Sequence, residues 1–562
     1  METRRFILAL SLSLLVFLVC VRFFAPPPTP QKPATIETAQ TGTALPREAT
    51  SPKPAVVRQR PNALAGSIVP AAAGKDIVIE SELVKVVLST AGGVVKHWEL
   101  KKHIEADKTE VGLGALYRRF IGTAKKAIEP MTARGNVQLF TAYEGVPAEE
   151  LVFPLTIVPL DRELSNVARV EYRSNLERVQ LDEKTPSQTV VLTYSGPGGM
   201  LIEKSLTFHY NEYKVDIAVR TKGFEGYTLD LGTDFGISDK ISNDASGRVG
   251  VVTMVDGNLA LEKIGAIKGE VQHAGAVEWL GQEDKYFTAA LIHNGAGIIT
   301  ITKTAAPKEI GDLVATRLTV KDASDEHTYT LFAGPKSSSL LKAQGHGMEQ
   351  MIDYGWFGIL AKPMFWLMQQ FYSITRNYGI AIILLTIVVR LILFYPSLKS
   401  ATAMEEMKKL QPQMTELREK YKKDPSKMNA EIMKLYKDHK VNPLGGCLPM
   451  VLQLPFFVAL YNVLSVSIEL RQSPFISFWI KDLSVFDPFY ILPVLMGVSM
   501  VFTMKMTSTS VDPQQQKIMM YMNVAFIFMF AWLPAGLLLY ITLSNVLSIV
   551  QQLYVRKIIA AA

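Results

Sequence analysis

The chain has 562 residues, which leaves room for about three or four domains of ordinary size. Hydrophobic residues make up 48% of it and charged residues 20%, so it is neither intrinsically disordered nor an ordinary charge-rich soluble enzyme. The net charge of +7 is a modest excess that calls for no DNA partner. Only two cysteines occur, Cys20 and Cys447, so we expect neither a disulfide framework nor a cysteine-based metal site.

The N-terminal segment, residues 1–25, has the charge pattern of a signal sequence or a signal anchor. Two arginines precede an apolar run from Phe6 to Val21. Prolines begin at Pro26, and because proline directly after a cleavage site disfavours cleavage, we predict a retained transmembrane anchor. Residues 26–73 are rich in Pro, Ala and Thr and have few aromatic residues, which predicts an extended linker.

Residues 74–345 show short runs of alternating polar and apolar residues, separated by Gly, Asn, Asp and Pro. The runs Leu201 to His209 and Lys214 to Val219 are typical. This pattern predicts one large all-β domain built as an antiparallel sandwich. Its histidines are scattered, and no HExxH motif or His/Cys cluster occurs, so the sequence predicts no catalytic residues and no metal site.

Residues 346–562 carry most of the long apolar runs and 18 of the 22 methionines. The first part, 351–368, is apolar and aromatic but interrupted by Lys362 and Pro363, which favours a helix in the membrane interface. Five transmembrane helices are predicted after it, at residues 374–395, 444–465, 489–504, 518–533 and 535–553. With the N-terminal anchor, this makes a multi-pass α-helical membrane protein with six transmembrane helices.

The loops between these runs predict the orientation. Residues 397–443 contain eleven Lys or Arg and seven Asp or Glu, whereas residues 467–486 contain only Arg471 and Lys481 as basic residues. The positive-inside rule therefore places the first loop and both termini in the cytoplasm, and the β domain outside. In a Gram-negative cell this means the inner membrane, with a periplasmic domain.

Residues 397–440 form the basic loop, and their apolar residues recur every three or four positions in two stripes. The sequence Asp424-Pro425 between the stripes is typical of a helix start. We predict a cytoplasmic helical hairpin with a kink at Pro412. Its basic faces either contact phosphates of lipid or ribosomal RNA or are simply solvated.

Arg390 is the most informative residue, because it lies within a predicted transmembrane helix, where a charge is costly. Thr386 lies four residues earlier on the same helix face and extends a polar strip into the bilayer. The alternative is snorkelling, since only about 9 Å of helix separates Arg390 from Pro396 and the headgroup region.

Other predicted transmembrane helices supply further polar residues. These are Gln453 in the third, and Tyr540 and Ser544 at four-residue spacing in the sixth. Ordinary interhelical hydrogen bonding explains each of them equally well when taken alone. No predicted transmembrane helix contains Asp or Glu, and no nucleotide-binding motif occurs. A positive site with abundant Met suits transient contact with varied apolar helices.

Five motifs follow one another in this region: Asn442-Pro-Leu-Gly-Gly-Cys-Leu-Pro449, Gln453-Leu-Pro455, Asp487-Pro-Phe-Tyr-Ile-Leu-Pro493, Asp512-Pro-Gln-Gln-Gln-Lys517 and Leu533-Pro-Ala-Gly-Leu-Leu-Leu-Tyr540. Together they resemble the Gram-negative members of the YidC/Oxa/Alb family, the YidC membrane protein insertases. The order of anchor, linker and large external domain resembles that family as well.

The resemblance implies an insertase and chaperone, not an enzyme, that inserts and folds transmembrane segments of new inner-membrane proteins, alone or with the Sec translocon. It implies a five-helix core with a hydrophilic groove open to the cytoplasm and lipid, in which Arg390, Thr386, Gln453 and Tyr540 match groove positions. Ser544 joins them from the polar stripe. The β domain is implied to be a supersandwich similar to sugar mutarotases, and no cofactor is implied.

The partners implied are nascent membrane proteins, the Sec translocon, membrane lipids and the ribosome, which would bind the hairpin at 397–440. Two other functions remain open. A secondary transporter also has a polar intramembrane site, but it should show repeated halves and a coupling carboxylate, and neither is evident. A membrane-anchored carbohydrate-active protein would act through its β domain.

Overall fold

The computed structural model describes residues 74–105, 135–141, 146, 151–238, 249–304, 311–321, 326–422, 424–439, 448–507 and 513–561. The predicted anchor, residues 1–25, and the predicted linker, residues 26–73, lie outside the described residues, as does Cys447.

The β-strands come first in the chain. They are β1 Asp76–Glu80, β2 Val84–Ser89, β3 Val94–Ile104, β4 Asn136–Phe140, β5 Ile157–Pro159, β6 Arg173–Ser174, β7 Arg178–Gln180, β8 Ser187–Ser195, β9 Leu201–His209, β10 Lys214–Lys222, β11 Tyr227–Thr233, β12 Gly250–Val255, β13 Asn258–Lys263, β14 Glu270–Glu283, β15 Phe287–Thr304, β16 Leu313–Val320 and β17 Glu326–Pro335.

These strands form two sheets. Within the described residues, one sheet has five strands in the order β4-β3-β2-β1-β7, and the other has twelve. Strand pairs are antiparallel except β1 and β7, which run parallel with Val78 opposite Arg178. The predicted antiparallel sandwich therefore includes one parallel pair, because the partners of a strand are set by tertiary packing and not by its own alternation.

The core of the β domain lies between the sheets. Along β9, every second residue is buried, as the alternating sequence predicts. Trp98 on β3 is buried and meets Phe235, which follows β11 of the larger sheet, with ring centroids 5.6 Å apart in an edge-to-face arrangement. The apolar faces of the two sheets are therefore in direct contact, as in a sandwich.

The helices follow the strands. They are α1 Ser338–Gln344, α2 Gly358–Thr375, α3 Tyr378–Ile392, α4 Phe394–Lys409, α5 Gln411–Lys420, α6 Pro425–Asp438, α7 Leu448–Val466, α8 Ile491–Thr507, α9 Pro513–Phe530 and α10 Ala535–Ala561. The prediction of a β-rich domain followed by a helical region is confirmed.

The helix predicted at 351–368 begins later, at Gly358, and ends at Thr375. The chain before it makes a short 3-10 turn at Met348–Met351 and then takes a positive φ of 68° at Gly355, which interrupts any helix. Trp356 and Trp366, at the start and in the middle of this segment, are exposed. Exposed tryptophans are typical of a helix at a membrane interface.

The basic segment consists of helices α4, α5 and α6, and the kink predicted at Pro412 is instead a helix boundary. α4 ends at Lys409, and Pro412 lies in the first turn of α5. Proline is tolerated there because the first turn has no intrahelical use for its missing N–H. The side chain of Asp424 caps α6 by accepting a hydrogen bond from the N–H of Lys427 at 3.1 Å, as predicted for a helix start.

By length and composition, one helix within the described residues, Ala535–Lys557, is able to cross a membrane by itself. α3 and α4 are long and apolar enough to cross a membrane only when taken together, and they are bent by 64° relative to each other. Leu452–Val466 and Ile491–Met506 are apolar but shorter than the roughly 20 residues that a membrane-spanning helix needs. The count of six transmembrane helices therefore stays a prediction.

Candidate functional site

The candidate site lies where α3, α7 and α10 meet. α3 begins at a cap, in which the side chain of Asn377 accepts a hydrogen bond from the N–H of Ile380 at 3.1 Å. It then continues as an almost uninterrupted apolar helix, and Arg390 lies in its last turn. A positive charge is favourable there because the carbonyl groups at a helix C-terminus carry partial negative charge.

Arg390 connects the other two helices. Its Nη2 donates a hydrogen bond of 2.6 Å to the backbone carbonyl of Ser544 on α10, and one of 3.2 Å to Oε1 of Gln453 on α7. Both acceptors are neutral, and within the described residues Arg390 has no carboxylate partner. The charge of the guanidinium is therefore solvated by dipoles and is not neutralised.

The guanidinium of Arg390 keeps hydrogen-bonding capacity. An arginine has five N–H donors, and the two bonds described use those of Nη2. Among the described residues, the three donors on Nε and Nη1 have no hydrogen-bond partner. A carboxylate or carbonyl group from another molecule is what such a half-buried, partly engaged guanidinium binds best.

Tyr540 and Ser544 both face this contact from α10. Tyr540 is buried close to Arg390 and Gln453, which places a third polar side chain beside the guanidinium. Ser544 takes part through its backbone carbonyl, and its side chain is buried next to Tyr540. The structure thus brings Arg390, Gln453, Tyr540 and Ser544 together.

Thr386 is placed differently from the other predicted site residues. It is fully buried, and its hydroxyl donates a hydrogen bond of 2.6 Å to the carbonyl of Ile382 in its own helix. The hydroxyl is therefore not directed to Arg390, although both residues are on one face of α3. The carbonyl of Ser544 is the site group that sequence reasoning missed, because a backbone acceptor leaves no signal in the residue type.

A concave site on the β domain has a volume of about 720 Å³. It is lined mainly by polar residues of β9, β10 and β17, together with His293 and His346. Asp216, one of these residues, already has a partner for each carboxylate oxygen: His209 at 2.7 Å and Thr330 at 3.2 Å. Among the described residues, no group of three His, Cys, Asp or Glu side chains is arranged to hold a metal ion.

Comparison with known proteins matches two family models to this chain. The model of the 60Kd inner membrane protein matches residues 370–562, and that of the YidC periplasmic domain matches residues 132–367. The membrane protein insertase YidC of Geobacter metallireducens is 34% identical over 100% of this chain and 99% of its own length. That of Geobacter sulfurreducens is 41% identical over 66% of this chain and 71% of its own. A crystal structure of an active YidC insertase aligns with a TM-score of 0.37 and 19% identity, covering 87% of this chain and 95% of that one.

Proposed function

Because the chain belongs to the YidC family and is a membrane protein insertase, we propose that it acts through a polar intramembrane groove centred on Arg390. The family is one of inner-membrane insertases with a periplasmic domain, and their clients are nascent membrane proteins. The observation that carries the proposal is the guanidinium of Arg390, held between two helices by neutral acceptors and with three donors left over.

The physical problem for an insertase is the polar loop of its client, which has to cross about 30 Å of hydrocarbon. A groove that opens to the cytoplasm and to lipid shortens this path, because part of the crossing then takes place in a polar environment. Arg390 draws acidic or polar residues of the client into the groove. Gln453 and the backbone carbonyl of Ser544 hold the guanidinium in place, and Tyr540 lies beside it. Thr386 extends the polar strip along α3.

Release of the client follows from the hydrophobic effect. Transfer of the client's apolar segment from the groove to the lipid is favourable. It lowers the free energy by roughly 25 cal/mol per Å² of apolar surface removed from water. Since Arg390 is engaged only by hydrogen bonds to neutral groups, it returns to its starting state when the client leaves. The cycle therefore requires no nucleotide and no cofactor.

We place both termini and the segment 397–440 in the cytoplasm, the β domain in the periplasm, and six transmembrane helices in the inner membrane. The positive-inside rule supports this arrangement, with eleven basic residues in 397–443 against two in 467–486. The basic segment receives the client or the ribosome first, and the protein works alone or beside the Sec translocon. A transporter or a carbohydrate-active protein is not favoured by the family to which the chain belongs.

The test is insertion of a radiolabelled two-helix protein with an acidic translocated loop into vesicles that contain only this protein. Arg390→Ala should lower the insertion rate about tenfold or more, since a charge-assisted hydrogen bond contributes about 1.5–3 kcal/mol. Arg390→Lys keeps the charge and should retain part of the rate. The matched control is Lys505→Ala, which removes an exposed positive charge from α8. Wild-type insertion by Arg390→Ala would contradict the proposal.

A further inference from the structure

The loop between α7 and α8, residues 467–490, lies between the helical region and the β domain and is bonded to both. We propose that this loop is an interdomain clamp, in which Arg471 and Glu469 hold the β domain in a fixed position on the ends of α3 and α10. The proposal concerns the contacts of the loop itself and is independent of the role proposed for Arg390.

On one side, the loop is attached to the start of α3. The side-chain amide of Asn377, the cap residue of α3, donates a hydrogen bond of 3.0 Å to the carbonyl of Phe475 in the loop. The ring of Phe475 lies directly against Gly379, where an added Cβ atom would fall only 2.0 Å from Cδ2 of the ring. Glycine is therefore required at this position for the loop to approach so closely.

The loop is attached to the start of α10 as well. The backbone N–H of Ala535 donates to the carbonyl of Val485 at 2.7 Å, and that of Gly536 donates to the carbonyl of Leu483 at 3.0 Å. The first turn of a helix has N–H groups without intrahelical partners, and here the loop supplies the acceptors. The loop therefore fixes the starts of the two helices that carry Arg390 and Ser544.

On the other side, Arg471 binds the β domain. Its Nη2 donates a hydrogen bond of 2.6 Å to the carbonyl of Ile104 at the end of β3, and Nε2 of Gln472 donates to the same carbonyl at 2.9 Å. The guanidinium of Arg471 also lies 5.3 Å from the ring centroid of Phe287 and 5.7 Å from that of Tyr286, within the range of cation–π contacts. One arginine thus contacts both sheets of the β domain.

His103 lies beside the guanidinium of Arg471, and its protonation state decides whether it repels that charge. Its ring packs edge-to-face on Phe287 with a centroid separation of 5.5 Å. Burial, together with the charge of Arg471, lowers the pKa of His103 to about 4, so that this histidine is neutral at neutral pH. The surface that receives Arg471 is therefore aromatic and carbonyl-lined and carries no competing positive charge from His103.

Glu469 binds the segment that leaves the β domain. Its Oε1 accepts a hydrogen bond of 3.1 Å from the hydroxyl of Ser337, two residues after β17. The adjacent Lys336 is buried, with Nζ 2.8 Å from Oε2 of Glu283 and 3.1 Å from the carbonyl of Asp284. The segment at Lys336 and Ser337 is therefore fixed to the β domain by an ion pair and to the loop by Glu469. Two attachments leave this segment little freedom to rotate.

The experiment measures the position of the β domain and not insertion. Spin labels are attached to Ser195→Cys, at the exposed end of β8, and Ile374→Cys, exposed on α2, in the full chain with Cys20 and Cys447 replaced by serine. Pulsed electron paramagnetic resonance in lipid nanodiscs then gives the distance distribution between them. We expect one narrow peak for the otherwise unchanged chain and a broad or shifted distribution for Arg471→Ala and for Glu469→Ala.

The matched control is Lys481→Ala, which removes an exposed positive charge from the same loop and should leave the narrow peak unchanged. If Arg471→Ala fails to fold, Arg471→Lys and Gln472→Ala replace it, because each removes only part of the contact with the Ile104 carbonyl. A narrow, unshifted peak in both the arginine and the Glu469 variants would overturn the proposal. This result would leave the role of Arg390 untouched, since no insertion is measured.

Discussion

Lys204 is a charged residue at a core position of the β domain. It lies on β9 between Ile202 and Leu206, in the row of residues that point inward, and it is fully buried. Its Nζ donates hydrogen bonds to three backbone carbonyls, those of Gly92 at 2.9 Å, Gly93 at 2.9 Å and Leu155 at 2.7 Å. This amine therefore ties β9 to the turn between β2 and β3 and to the segment before β5.

The stability of the β domain should depend on the protonation of Lys204. Burial lowers the pKa of Lys204 from 10.5 to about 7, against the opposing effect of Asp230. Between these two values the unfolded chain binds a proton that the folded chain does not, so the free energy of unfolding should rise as the pH rises from 7 to 10.5. At about 1.4 kcal/mol per pKa unit, the full gain is at most about 5 kcal/mol.

Urea-induced unfolding of the detergent-solubilised protein measures this dependence, with Trp98 and Trp279 of the β domain as fluorophores and the remaining tryptophans replaced by phenylalanine. Lys204→Met is expected to be less stable, because the three carbonyls lose the N–H donors of the amine, which are three when it is charged and two when it is neutral. The variant should also show a flatter pH profile. An unchanged slope in this variant would mean that another group is responsible.

Arg390 and Lys204 show what can be predicted about single residues from the sequence. Arg390 stood out because it interrupts an apolar run, and Tyr540 and Ser544 because they recur at four-residue spacing. Lys204 gave no such signal, since lysine in an alternating strand is ordinarily on the exposed face. Its acceptors are 112, 111 and 49 positions away in the chain, and such distant partners cannot be predicted from local patterns.

Among the elements, α4 connects the candidate site to the basic segment. α4 continues from α3 after a bend of 64°, so the helix that carries Arg390 leads directly into the basic region. Glu405 of α4 accepts a hydrogen bond of 2.9 Å from Arg556 of α10 and one of 2.8 Å from Lys408. The sequence periodicity predicted these helices but not the bend. It falls where Pro396, in the first turn of α4, lacks the N–H that would bond to the carbonyl of Ile392.

Deleting α5 and α6, from Gln411 to His439, and bridging the gap with a Gly/Ser linker should reduce insertion without disturbing the Arg390 site. α5 and α6 contact each other, since the hydroxyl of Tyr436 lies 3.3 Å from the sulfur of Met414, and the deletion removes both. α4 and its contact with Arg556 remain. If the deleted protein inserts every tested substrate at the wild-type rate, these helices do not receive the client. A control that keeps both helices but replaces their linker residue Lys422 with Ala should insert normally.

At the scale of the molecule, the chain joins a β-rich domain to a helical region through Pro335 to Gly358. The division into these two parts could be predicted, because alternating runs and long apolar runs are properties of the local sequence. The division of the strands into sheets of five and twelve could not, because β1 pairs with β7 across about a hundred residues of chain. The contact of Arg471 with Ile104 could not be predicted either, because it joins the two parts over a separation of 367 positions.

The predicted topology places the β domain on the opposite side of the membrane from the basic segment. In the chain with Cys20 and Cys447 replaced by serine, Ser195→Cys on the β domain should react with a membrane-impermeant maleimide in intact spheroplasts. Ser426→Cys, exposed on α6, should react only after the membrane is opened. The reason is the cost of moving the eleven basic residues of 397–443 across the bilayer during assembly. Both cysteines must react in detergent, which shows that each is accessible. Labelling of Ser426→Cys in intact spheroplasts would place the basic segment outside and reverse the direction from which clients enter the Arg390 site.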